Sequence, residues 1–391
     1  MKPTENTRKV PMKHILLICH KDHLISGSIQ FIKNLLENHF TVDVVTDNMS
    51  LQHIKPLFKT HANAVIVLWQ TEYLAPWLLS KGLKVVTFLM YDGCGTAPKS
   101  YFKILDRTYL FNFSKKLHKI CINAGVTSHE LNYFPKVQDL KSERVMEDKL
   151  FYWLRRPNSS LSESVITDVF SPYISKIHIH DRQDNHDVQH DIIRIPDDFV
   201  STSIWFDNKE ELKELIVSSK YYLAPRESEG IGMAFLEAMS LGCIVFANKN
   251  STHDQYIYHG YNGFLIDFES RNTSLIKQQI KEAFEIIKIK PEIGENARNY
   301  MIKGQQTWKD QSEKLIQVIQ VILEAEKSKS FGWIEQIAGY QLIKLYKRHH
   351  RLYFIASDIY LKLGLFNDKV IRIRMGMFVN LAFRFLKIFK R

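Results

Sequence analysis

Residues 221–247 read YYLAPRESEGIGMAFLEAMSLGCIVFA. The apolar run Tyr221–Ala224, stopped by Pro225, predicts a strand. Arg226–Gly232 is polar and punctuated by glycine, the composition of a turn. Met233–Leu241 predicts a helix, with Gly242 placed to end it, and Cys243–Ala247 predicts the next strand. The stretch is one β-turn-α-β unit whose turn carries the chemistry. Gly230 and Gly232 lack a Cβ and let a ligand approach the backbone. The free N–H groups of the helix that follows suit an anion. Glu229 stands at the mouth of the turn. Glu237 follows eight residues later, a little over two turns at ~3.6 residues per turn. Two carboxylates are therefore expected along one side of a crevice at the carboxyl end of a parallel strand, where open α/β sheets bind ligands. On spacing alone, an acidic helix start favoured by the macrodipole reads equally well.

The chain alternates in the same way on both sides of this unit. Ile15–Cys19, Val42–Val45, Ala64–Leu68 and Val85–Met90 read as strands. Gly27–Leu36 fits an amphipathic helix, and Leu79–Gly82 closes a short one. Lys119–Asn123 reads as a strand leading into a helix at Thr127–Leu131, with Thr127 or Ser128 as its cap. Residues 136–148, KVQDLKSERVMED, are polar and charged and read as a linker. Beyond it, Leu150–Leu154, Lys176–His180 and Ile192–Ile195 read as strands, and Lys209–Ser218, Ser274–Ile287 and Thr307–Glu324 as helices. Strands alternating with helices imply βαβ units and parallel sheets. The fold class expected is α/β: two Rossmann-like domains, 1–135 and 149–325, followed by a basic helical tail, 326–391.

A chain of 391 residues is long enough for two full cores. Apolar content of 45% and charged content of 24% are those of a globular protein, not a disordered or fibrous one. Cys19, Cys94, Cys121 and Cys243 are scattered beside apolar runs, without metal-ligand or disulfide spacing, which fits a reducing cytosol. The N-terminus reads as a leading tail and first strand rather than a signal peptide. No apolar stretch reaches the ~18 residues of a membrane span. His178, His180, His186 and His190, with Asp181 and Asp187, match no zinc pattern, and no metal site is expected there.

The net charge of +11 is unevenly placed. Residues 331–391 hold 12 Lys and Arg against 3 Asp and Glu, so the tail carries +9 and the rest of the chain is nearly neutral. In a helix over 378–391, Asn380, Arg384, Lys387 and Arg391 fall on one face. Phe378, Leu381, Ala382, Phe385, Ile388 and Phe389 fill the other. Such a helix suits an anionic membrane interface, with Lys344, Lys347, Arg348 and Arg351 as a basic cluster upstream. A helix packed on the body or on a partner is the alternative. The tail has no recognisable nucleic-acid-binding module, and no nucleic-acid partner is expected.

S-E-G-I-G-M-A-F-L-E-A-M-S-L-G-C-I-V, with G-Y-N-G-F-L-I-D at 260–267, resembles the donor-site signature of GT-B glycosyltransferases. It is most similar to glycosyltransferase family 4 and its bacterial polysaccharide relatives, strongly over about 205–310 and more faintly in the N-terminal half. The resemblance implies two domains facing across a cleft, the donor held by the C-terminal one and the acceptor by the other. It implies that Glu229 contacts the transferred sugar and Glu237 the nucleotide ribose, roles that suit a carboxylate accepting two hydroxyl donors. The backbone of Gly230, Ile231, Gly232 and Met233 would line the sugar and diphosphate. In F-Y-W-L-R-R-P-N-S-S, Arg155 and Arg156 stand where the family has a diphosphate-binding Arg, but the family's following Lys is absent; Arg226 is a possible helper. Of the glycine-rich loop after the first strand, Ser26, Gly27 and Ser28 remain. The family's later histidine is replaced by Tyr91-Asp92-Gly93, where Asp92 lines the cleft or serves as a turn residue.

The resemblance thus implies a retaining sugar transfer from a nucleotide-sugar to a glycan acceptor, for a lipid-linked surface polysaccharide such as O-antigen or capsule. It implies no cofactor and no required metal. The expected location is the cytoplasm, at the inner face of the cell membrane. A catalytically degenerate scaffold subunit and another GT-B sugar-phosphate enzyme remain alternatives.

Overall fold

The structure is a computed structural model that describes residues 13–47, 61, 63–138, 146–156, 159–181, 198–204, 206, 209–326 and 332–366. Two six-stranded sheets, every neighbouring pair parallel, organise it. The first contains β1 (His14–Cys19), β2 (Thr41–Thr46), β3 (Val65–Trp69), β4 (Lys84–Leu89), β5 (Tyr109–Asn112) and β6 (Ser128–Glu130), in the order β2-β1-β3-β4-β5-β6. The second contains β7 (Glu147–Trp153), β8 (Lys176–His180), β9 (Val200–Ser203), β10 (Ser219–Leu223), β11 (Ile244–Asn248) and β12 (Phe264–Ile266), in the order β12-β11-β10-β7-β8-β9. All five residues of β3 and of β11 are buried. Parallel strands covered on both faces read as continuous apolar runs for this reason.

In each sheet the strand order reverses beside its first strand. β2 and β3 flank β1, and β8 and β10 flank β7. Crevices therefore open beyond the carboxyl ends of β1 and β3, and of β7 and β10, the places where such sheets bind ligands.

Several helices matter for the site: α1 (Lys21–Ser26), α2 (Gln30–Glu37), α3 (Ala75–Ser80), α4 (Lys115–Asn123), α5 (Met233–Ser240), α6 (Ile293–Glu324), α7 (Trp333–Arg348) and α8 (His350–Lys362). α6 has 32 residues, about 48 Å at 1.5 Å per residue, and serves both domains. Gly294, near its start, lies so close to Gly242 that a Cβ would stand 2.3 Å from the Gly242 carbonyl oxygen. Further along, Trp308 packs on Phe31 and Tyr133, and Leu315 and Ile319 join the core around Ile15 and Val65. Lys84 Nζ donates to the Leu323 carbonyl at 2.7 Å, near its end.

Several local readings change. Lys119–Asn123 is not a strand but the end of α4, where Ser114 caps the helix by accepting from the Leu117 N–H and Leu117 and Cys121 bury one face. A short apolar run such as I-C-I fits either element, and the i, i+4 spacing decides. Thr127–Leu131 is not a helix: Ser128–Glu130 pairs with β5 as the edge strand β6. The helix expected over Gly27–Leu36 begins only at Gln30, because Gly27, at φ +71, ends the preceding α1. β7 begins inside the stretch read as a linker, at Glu147. α6 begins at Ile293, well before Thr307. Ile192–Ile195 and 378–391 lie outside the described residues, as do His186, Asp187 and His190.

The stretch after 331 does more than trail. α7 and α8 pack on the N-terminal domain, with Leu342, Ile343 and Tyr353 at 1% exposure or less in the core that holds Leu16, Ile18, Ile66 and Leu68. At Gly339 a Cβ would stand 2.7 Å from the Trp77 Cα of α3, so this contact is backbone to backbone.

Candidate active site

The expected β-turn-α unit is present almost to the residue as β10, Ala224–Gly232 and α5. Gly232 stands before the helix at φ +80, the left-handed region that glycine tolerates. A Cβ there would meet the Phe235 ring at 1.9 Å. Gly230 serves a different need. Its Cβ would stand 2.8 Å from Asp92 Oδ1 and 2.9 Å from Met90 Cβ, both in the N-terminal domain. Gly230 thus lets the donor turn lie directly against the loop after β4. Ile231 is buried and Met233 half-buried beside it.

Glu229 is 6% exposed. Its N–H donates to the Ser251 carbonyl at 3.0 Å, and its carbonyl accepts from Thr252 Oγ1 at 2.6 Å. The backbone of the turn is therefore fixed by the loop after β11. Ser251 Oγ is 2.7 Å from Ser114 Oγ, which carries the support across to the other domain. Glu227 ties the two sides of the crevice together, accepting from the Ser160 N–H at 2.9 Å and the Ser160 hydroxyl at 2.5 Å.

Arg226 Nη1 donates to Asp92 Oδ2 at 2.8 Å and lies 3.9 Å from Glu229 Oε2. Asp92 is thus an interdomain ion-pair partner, more than a turn residue. Burial pushes its carboxyl above the ordinary range; Glu229 adds to the rise, and the charges of Arg226, Arg156 and Arg155 oppose it. That balance places Arg155, Arg156, Arg226, Asp92 and Glu229 in one electrostatic neighbourhood. Arg155 also lies over the Trp153 ring, 5.0 Å from its centroid. Burial, then Glu237 and Glu229, holds the Tyr222 phenol well above its usual value, so both carboxylates act on one side chain. Glu237 is exposed, and it also bears on Tyr133 of the N-terminal domain, whose phenol burial and Glu237 push up to about 12.

Gly27 closes α1 after β1, in the N-terminal domain. His178 and His180 bond instead to serines of β9: His178 to Ser201 and Ser203 Oγ at 3.0 and 2.9 Å, His180 to Ser203 Oγ at 2.9 Å. Sequence reading missed the polar groups after β1, β2 and β3, namely His20, Asp47 and Gln70. The signal was their position immediately beyond apolar strands.

Residues 201–300 match the family model described as Glycosyl transferases group 1. No curated protein matches the chain. Sucrose-phosphate synthase from Thermosynechococcus elongatus is 11% identical over 79% of this chain and 100% of its own, with a TM-score of 0.60. HepE from Anabaena, solved in complex with UDP, is 15% identical over 78% of this chain and 100% of its own, with a TM-score of 0.58. A glycosyltransferase from Rickettsia africae ESF-5 is 15% identical over 81% of this chain and 100% of its own, with a TM-score of 0.56. At these identities the likeness is one of fold, and that fold is the expected GT-B arrangement. The 201–300 segment that matches the group 1 glycosyl transferase model contains the turn with Glu229 and Glu237.

Proposed function

We propose that this protein is a glycosyltransferase that moves a sugar from a nucleotide-sugar donor to a glycan acceptor, with retention of configuration, in the assembly of a lipid-linked surface polysaccharide. The observation that supports the donor reading is the glycine turn after β10, where Glu229 lies 3.9 Å from Arg226 and the charges of Arg226, Arg156 and Arg155 all bear on neighbouring Asp92. The arginines neutralise the leaving diphosphate, Glu229 accepts from sugar hydroxyls, and Glu237 accepts from the ribose. Catalysis is then positioning and charge stabilisation in a cleft that the second domain shields from water. HepE has been solved with UDP and with UDP-glucose, which makes uridine diphosphate sugars the first donors to try. The test is release of nucleoside diphosphate by full-length protein from UDP-glucose, UDP-N-acetylglucosamine and GDP-mannose. Release from one of them is expected; release from none, in the presence of a mixed glycan extract, contradicts the reading.

The charge on 331–391 supports a second part of the proposal, attachment to an anionic membrane surface. No helix among the described residues is long and apolar enough to cross a membrane. α7 and α8 leave Lys344, Arg348 and Arg351 exposed, and each basic residue near an anionic leaflet contributes ~1 kcal/mol. Full-length protein is expected to pellet with phosphatidylserine vesicles, less so in high salt. A truncation at Lys329 would strip buried Leu342, Ile343 and Tyr353 from the N-terminal core, so the informative truncation ends at Phe366. It should bind vesicles more weakly; equal binding by both forms would move the attachment away from 367–391.

A further inference from the structure

The N-terminal sheet has a switch point of its own, and the donor chemistry leaves its residues unused. His20 follows β1, Asp47 follows β2 and Gln70 follows β3. His20 Nδ1 is 2.7 Å from Asp47 Oδ2, and the His20 side chain keeps 37% of its surface exposed. The same carboxylate oxygen accepts from the Tyr73 hydroxyl at 3.0 Å. Gln70 has φ +54, a left-handed conformation unusual for a residue with a side chain. Such outliers persist where surrounding structure holds them and cluster at functional sites. In this conformation Gln70 Oε1 reaches His23 Nε2 at 2.5 Å, and His23 Nδ1 lies 2.8 Å from Ser28 Oγ. Burial chiefly lowers the His23 pKa, against the bond to Gln70.

These polar groups are braced from outside the domain's own βα units. The Tyr346 ring of α7 stacks on Tyr73, with centroids 4.2 Å apart and planes 8° from parallel. Its neighbour Lys347 donates from Nζ to the Asp47 carbonyl at 2.9 Å. Hydrogen bonding to Asp47 raises the His20 pKa against the effect of burial. In Asp47, burial acts upward but the bonds from His20 and Tyr73 prevail and the carboxyl falls below its ordinary range. Asp47 and the Gln70 backbone thus both hold the His20 ring at the switch point, with part of its surface open to the crevice.

We propose that His20 and Gln70 bind the acceptor hydroxyl at the N-terminal switch point, and that Tyr346 and Lys347 are positioning residues acting through Tyr73 and Asp47. The proposal rests on the glycosyltransfer reading above, with a sugar hydroxyl as the ligand. It gives the C-terminal helices a role in acceptor use, separate from attachment to any surface.

The test measures nucleoside diphosphate release by full-length protein, with and without octyl β-glucoside, octyl β-galactoside or octyl α-mannoside. His20→Ala should raise the KM for the stimulating glycoside about fivefold or more, the loss of one hydrogen bond at the switch point. The donor KM should change less than the acceptor KM. Lys347→Ala and Tyr346→Ala should raise the acceptor KM in the same selective way, and Tyr346→Phe, which keeps the stacked ring, should restore it. Lys347 is exposed, so its variant keeps the test decisive if Tyr346→Ala misfolds. The proposal is overturned if acceptor-dependent and acceptor-independent release fall together in His20→Ala. It is equally overturned if Lys347→Ala leaves the acceptor KM unchanged, or if no glycoside stimulates an enzyme that hydrolyses donor. Wild type that releases nucleotide from no donor, with or without glycoside, instead removes the glycosyltransfer reading on which the proposal stands.

Discussion

Glu229→Gln is expected to lower sugar transfer by about two to three orders of magnitude, the range seen when one preorganised polar contact to a transition state is removed. The two side chains have nearly the same shape, but the amide offers one acceptor oxygen where the carboxylate offers two charged ones. The fold should survive, although Glu229 is 6% exposed rather than the open turn residue the sequence suggests. Its backbone is held by Ser251 and Thr252 independently of the carboxylate, and Arg226 keeps Asp92 as its closer partner. Steady-state transfer rates with a thermal melt of the same sample check both halves. Full activity in a folded variant would remove Glu229 from the site.

Replacing Arg155 and Arg156 together by Ala should cut turnover by about 100-fold or more, because the leaving diphosphate loses its cationic partners. Both charges reach Asp92 at the crevice. Arg155→Lys should recover only part of the rate, since an ammonium cannot reproduce the guanidinium fork or its place over Trp153. The effect should fall mainly on kcat, because the charge to be stabilised develops as the bond breaks. An unchanged rate in the double variant would assign the diphosphate to Arg226, which would then have to turn away from Asp92.

The central unit was legible because its signals agree: an apolar run, a glycine turn, a helix and a second apolar run, each with one local reading. The edge of the first sheet was not, because I-C-I in α4 and T-S-H-E-L at β6 are too short for periodicity to choose between helix and strand. The C-terminal stretch read as a tail because its charge is visible in sequence, whereas the fit of Gly339 against Trp77 is not. The same limit applies to the site. Arg226 and Asp92 are 134 residues apart in the chain, so only the fold shows that the donor turn and the loop after β4 share an ion pair. His20 escaped notice for the same reason: its partner Asp47 follows a different strand, and its support from Lys347 lies 300 residues beyond Asp47. Gly27 is visible in that stretch as a glycine, whereas the polar contacts are made by His20 and His23.

The donor crevice is most directly tested by thermal denaturation of the full-length protein with UDP-glucose, UDP-N-acetylglucosamine and GDP-mannose, alongside Glu237→Ala. A ligand at 100 times its Kd stabilises the folded state by about 2.7 kcal/mol, a rise in Tm on the order of a few degrees for a chain of this size. At least one of the three should raise the Tm of wild type, and by less in Glu237→Ala, which lacks the carboxylate proposed to accept from the ribose. A wild-type Tm that none of them moves at millimolar concentration, or an equal rise in Glu237→Ala, would contradict a nucleotide-sugar held between β7 and β10 by Glu237.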